Sequence, residues 1–231
     1  MAVQRRERRT PDGGIPVDIA ASRALSNSAM KQRLTTFAAA MLLLAGGAVH
    51  AQTWRGVVLD RDGLIRPQLL SSALTAYAQH EGARLSERNI AVVDFSKPSS
   101  ERRLYLVDLK TGAVQSYLVA HGRGSDPDHD AFADTFSDAI GSHASSLGAY
   151  RAESPYQGAH GLSLSLQGLD ATNRSAMERA VVLHSQWYVS DQMVAQRGKL
   201  GRSWGCFVVD PAVVRNLVAE LSGGGFIYAG R

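Results

Sequence analysis

Apolar and polar positions follow two different periods along this chain. In "PQLLSSALTAYAQH" (67–80) Leu69, Leu70, Ala73, Leu74, Tyr77 and Ala78 fall at helical spacing, with Pro67 at the start and Gly82 just past the end, so the pattern predicts a helix with one apolar stripe. Strand signals come next. "NIAVVDF" (89–95) is short, apolar and β-branched, "RRLYLVDL" (102–109) alternates, and "AVQSYLVAHG" (113–122) returns after a Lys110-Thr111-Gly112 turn, which predicts a β-hairpin with a buried face. Residues 122–146 read as loop. "LGAYRA" (147–152), "HGLSLSLQGL" (160–169) and "AVVLHS" (180–185) read as strands, with a short helical turn at 173–179 between the last two. "FVVD" (207–210) is brief, 211–221 reads as a helix with Pro211 first, glycines at 223–225 end it, and "FIYAG" closes the chain as a strand. The sum is a mainly β, α+β domain flanked by helices, without repeats after Ala51.

The N-terminus has a different pattern. Met30-Lys31-Gln32-Arg33 is basic, residues 34–49 are apolar and uncharged, and Val49 and Ala51 place small residues at −3 and −1 before Gln52. Those three features predict a secretory signal peptide over 30–51, with an uncleaved anchor as the alternative. Residues 1–29 are polar and unpatterned, which predicts a disordered or untranslated extension with translation starting at Met30. The domain itself is then 52–231, exported to the periplasm. Of 25 Lys+Arg and 21 Asp+Glu, residues 1–51 carry seven and three, so residues 52–231 carry 18 of each. A neutral domain argues against nucleic acid as a partner, and no later stretch is apolar enough to span a bilayer. About 180 residues suffice for one sizeable core, expected as a monomer.

Export changes the meaning of Cys206, the only cysteine in the chain. Oxidising compartments favour paired cysteines, and one cysteine has no internal partner. It is then either reactive or an inert buried side chain. A nucleophilic thiol, whose pKa is ~8.5 when free, needs a base and an oxyanion hole. His80, His121, His129, His143, His160 and His184 are candidate bases, and His184 ends a β-branched run that makes a rigid platform. Ser203-Trp204-Gly205-Cys206 places a glycine where a tight bend can gather main-chain amides beside the sulfur, each donor being worth ~3 kcal/mol to an oxyanion.

His184 followed by Ser203-x-Gly-Cys206 resembles the signature of YkuD-type L,D-transpeptidases. The ordered set "HGRGS", "SSLGAY", "YQGAHGLSLSLQGL" and "GRSWGCF" resembles the divergent branch called the murein L,D-transpeptidase catalytic domain family, over roughly 89–231. The resemblance implies the YkuD-like β-sandwich catalytic domain. It implies Cys206 as nucleophile, His184 as base oriented by the Ser185 carbonyl, and the amides of Trp204, Gly205 and Cys206 as oxyanion hole. It implies donor and acceptor peptidoglycan stem peptides as partners, joined through a thioester into 3-3 or L-Ala-diaminopimelate (1-3) crosslinks, with no cofactor and no metal. Arg202 is the candidate for a stem carboxylate. Ser203, His160 and Tyr156 are candidates for the substrate groove, Trp204 for the cleft wall, and His121 and Ser125 for hydrogen bonds within the 122–146 loop. Trp204 stands where the main family has His or Asn, and Phe207-Val208 where it has an apolar residue and Arg.

Three other readings compete. "DPDHD" (126–130) clusters metal-ligand types, but an EF-hand order would need Gly and Glu where Ala131 and Ser137 stand, so a solvated acidic loop is expected. Water instead of an amine could resolve the thioester, giving an L,D-carboxypeptidase or amidase. A non-catalytic module binding cell-wall peptide would carry Cys206 buried and unreactive.

Overall fold

The computed structural model describes residues 52–231, so the expected signal peptide (30–51) and the extension (1–29) lie outside the described residues. The elements are β1 (Gln52–Trp54), β2 (Val57–Leu59), α1 (Pro67–Gln79), β3 (Asn89–Asp94), β4 (Leu104–Asp108), β5 (Val114–Tyr117), β6 (Gly148–Gly158), β7 (Gly161–Gly168), β8 (Val182–Ser185), α2 (Asp191–Arg197), β9 (Phe207–Val209), α3 (Val214–Leu221) and β10 (Phe226–Gly230). This is the mainly β domain with flanking helices that the pattern predicts.

Eight strands form one sheet in the order β5-β4-β3-β10-β6-β7-β8-β9, and β1 and β2 pair separately. β10 runs parallel to β3 and β8 parallel to β9, and the other neighbours are antiparallel. The two edges of this sheet meet. After Tyr117 the chain crosses to β9, where Ala120 bridges Val208 and Gly122 bridges Ser203. The closing bonds are Ala120 N to Val208 O (2.9 Å), Ser203 N to His121 O (2.8 Å) and Arg123 N to Ser203 O (2.7 Å). Pairing the edges leaves fewer open backbone groups. It also ties the segment before Cys206 to the 122–146 loop.

Side chains alternate across a strand, so a strand buried on both faces reads as a continuous apolar run. β3 is such a strand. Ala91 and Val93 enter the inner core with Phe95, Tyr150, Phe207, Leu217 and Leu221, while Ile90 and Val92 pack with Leu70, Ala73 and Tyr77 of α1.

Several expected boundaries shift. α3 starts at Val214, because Pro211 lies in a turn where the Asp210 carboxylate accepts from Ala212 N at 2.7 Å and the Asp210 carbonyl from Val213 and Val214. β6 continues through the polar "ESPYQG" because β7 pairs with it across a register shift between Ala152 and Pro155. Residues 173–179 are successive turns, and β1 and β2 had no pattern to announce them. α2 was also missed: it buries no residue, and only its Ser190 cap, which accepts from Met193 N at 3.1 Å, and left-handed Gly198 mark it.

Candidate active site

β8 and β9 place Leu183 opposite Phe207 and His184 opposite Val208. Leu183, Phe207 and Val209 enter the inner core, so alternation turns His184 and Val208 to the other face. Cys206, two residues before Val208, packs on that same outer cluster. A cavity of about 500 Å³ lies there, and Cys206, His184, His160, Arg202, Ser203 and Trp204 line it.

Cys206 is half-buried, and its thiol donates to the Ala180 carbonyl at 3.7 Å. Ala180 has φ 52°, a left-handed conformation that a residue other than glycine adopts only when its surroundings impose it. Burial pushes the Cys206 pKa up, against the opposing pull of the Val182 amide and the Arg179 charge. The resting group is therefore a thiol.

His184 is 3% exposed, and its Nδ1 lies 3.1 Å from the Ser185 carbonyl oxygen. A carbonyl only accepts, so this contact assigns the proton to Nδ1 and leaves Nε2 unprotonated. The His160 ring stacks on it, with centroids 4.4 Å apart, and Gln186 Nε2 is 3.2 Å from His160 Nδ1. Burial lowers the His184 pKa to about 4; the Ser185 contact opposes this and the His160 charge adds to it. At neutral pH the ring is a neutral base.

Ser203 braces the bend between them. Its hydroxyl donates to Cys206 O at 2.8 Å and accepts from Gly205 N at 3.1 Å. Of the three amides expected to form an oxyanion hole, that of Gly205 is therefore committed to the bend itself. Gly205 sits at φ 110°, open to glycine alone at low strain.

Trp204 is 67% exposed and stacks on His143, with centroids 4.6 Å apart, so it walls the cavity and is not core. Arg202 Nη1 donates to the carbonyls of Asp126 and Pro127, which fixes its fork at the rim. Tyr156 stands apart: it is an exposed residue of β6 outside the cavity lining, with its ring over Gly158.

In the acidic run 126–130, expected as a solvated loop, Asp128 and Asp130 are exposed and Asp126 alone turns inward. Asp126 is buried and accepts from Asp130 N, Ala131 N and His121 Nε2 (3.0 Å). His121 Nδ1 in turn accepts from Arg103, and Ser125 Oγ from Ser145 N, so this loop is internally bonded. Sequence reasoning did not find Arg179, Ala180, Gln186 or Tyr188, which complete the lining. No spacing rule singles them out, and the fold alone brings them here.

The family model described as the L,D-transpeptidase catalytic domain matches residues 62–229. No curated protein matches the chain. Among solved structures, an L,D-transpeptidase from Mycobacterium smegmatis is 13% identical, with 62% of this chain and 59% of that one covered and a TM-score of 0.39. L,D-transpeptidase 1 from Mycobacterium tuberculosis is 13% identical over 62% and 61%, with a TM-score of 0.34. An L,D-transpeptidase from Stackebrandtia nassauensis is 13% identical over 72% and 68%, with a TM-score of 0.34. The chain thus spans 59% and 61% of the two mycobacterial structures.

Proposed function

Because this chain belongs to the L,D-transpeptidase catalytic-domain family, we propose that it is a peptidoglycan L,D-transpeptidase with Cys206 as nucleophile and His184 as base. The sulfur attacks a donor stem-peptide carbonyl while its proton moves to His184 Nε2. The amides of Trp204 and Cys206 receive the oxyanion. Collapse breaks the C–N bond, the Nε2 proton leaves with the amine, and a thioester remains. The diaminopimelate amine of a second stem then attacks, giving a proton to Nε2. The C–S bond breaks and that proton returns to sulfur, so nothing is oxidised or reduced. Arg202 meets a stem carboxylate with the guanidinium N–H groups not held by Asp126 and Pro127. His160 bears on the substrate through the His184 ring it covers. The substrate lies outside the cytoplasm, which accords with export to the periplasm by residues 30–51.

The observation that carries this reading is a thiol immediately before β9 and, on the adjacent parallel strand β8, an imidazole unprotonated at Nε2, both lining one cavity of about 500 Å³. Incubation of the purified protein with sacculi, followed by mass spectrometry of released muropeptides, tests it. New 3-3 or 1-3 linked dimers are expected from wild type and none from folded Cys206→Ala. Dimers from Cys206→Ala would refute the nucleophile. Shortened stems without dimers would replace transfer by hydrolysis.

A further inference from the structure

We propose that Arg179 is the fixed positive charge of this site, a positioning residue that clamps the 137–146 loop behind the Gly205–Cys206 bend and favours negative charge on the attacking sulfur. The inference rests on Cys206 being the nucleophile. The Arg179 side chain is 4% exposed. Its Nη1 donates to Ser137 O at 2.9 Å and Ser146 Oγ at 3.2 Å, and its Nη2 donates to Ala144 O. A Cβ on Gly205 would lie 2.6 Å from Ala144 O and 2.8 Å from Arg179 Nη2. The guanidinium and the carbonyl it grips therefore press on the bare Cα next to the nucleophile.

This charge forms an ion pair with Asp138 at a length beyond a good hydrogen bond. Asp138 Oδ1 stands at 3.5 Å, and Asp138 Oδ2 accepts from Ser175 N at 2.7 Å. Where water is scarce such a field reaches further than at the surface. The other titratable groups facing the sulfur are His184, His160, Tyr188 and Arg202. His184 is neutral at neutral pH, the Tyr188 hydroxyl is pushed up to about 12 by burial, and Arg202 is bonded to Asp126 and Pro127.

With one cysteine in the chain, iodoacetamide labelling reads this thiol alone. The rate is followed against pH in the full chain for wild type, Arg179→Gln, Arg179→Lys and Asp138→Asn. Arg179→Gln should move the midpoint to higher pH and slow labelling several-fold near neutrality. Arg179→Lys should restore the midpoint towards wild type, and Asp138→Asn, which leaves the cation unopposed, should move it to lower pH. An unshifted midpoint in folded Arg179→Gln overturns the proposal. If that variant does not fold, an unshifted or raised midpoint in Asp138→Asn overturns it. Failure of the nucleophile itself would show separately, as acyl transfer that survives Cys206→Ala.

Discussion

Acid should destabilise this domain in a window set by two buried imidazoles. Burial beneath His160 lowers the His184 pKa to about 4. His121, with Arg103 Nη2 at 2.9 Å on one ring nitrogen and Asp126 at 3.0 Å on the other, is also lowered to about 4, by burial and then by the Arg103 charge. Unfolded imidazoles titrate near ~6.5. Between those values the unfolded chain binds more protons, so stability rises with pH across the window. Each contribution is complete above ~6.5 and gone below ~4; at about 1.4 kcal/mol per unit each is about 3 kcal/mol, of which about 2 is already lost at pH ~5.

Urea unfolding of wild type and His184→Gln at about pH 7, 5 and 4 measures this, because glutamine takes up no proton in that range. The fall in stability from neutral to acid should be about 3 kcal/mol smaller in the variant. Carboxylates add to the acid loss equally in both proteins and cancel in the difference. Superimposable pH dependences would refute the burial argument and, with it, the neutral base at the site.

Two further predictions come from the same contacts. Gly205→Ala puts a Cβ 2.6 Å from the Ala144 carbonyl at φ 110°, so it should lower stability by about 1–3 kcal/mol in thermal melts and abolish transfer; wild-type turnover would deny the bend its role. His160→Ala removes the ring stacked on His184 and lets water in, so the His184 pKa followed by NMR titration should rise from about 4 towards the ordinary histidine value, and an unchanged value would show that the stack is inert.

The elements visible in the sequence were those whose burial leaves a period. α1 and β3 were legible because Leu69, Leu70, Ala73 and Tyr77, and then Ile90 to Val93, are each buried. α2 has no fully buried residue, only Met193 and Val194 packing partly on a small cluster, and the outer half of β6 is exposed, so neither leaves a clear apolar signal. The site divides the same way. Cys206, His184, Ser203 and Gly205 stand in a short motif with local geometry. Arg179 acts through Ala144, Ser137 and Asp138, some forty residues away along the chain, and pairings at that separation have no spacing to read. Tyr156, a groove candidate beside His160, pairs with Ser163 across β6 and β7 and lies outside the cavity lining.

The protonated resting thiol has a physical consequence, because Cys206 is the chain's one cysteine and the proposed nucleophile. Oxidation follows thiolate character, so a buried sulfur whose pKa is raised is protected where a standing thiolate would be consumed. Protection leaves the attack dependent on a proton acceptor already in place, since His184 carries no charge to pair with a preformed thiolate. The neutral imidazole, its tautomer set by Ser185, meets that need only if β8 and β9 hold register. A slip of one residue would turn His184 into the Leu183 core and Leu183 into the cavity. Closure of the sheet through Ala120–Val208 and Gly122–Ser203 opposes that slip on the side of β9 away from β8. The edge-to-edge bridges are thus part of how His184 comes to line the cavity it shares with Cys206.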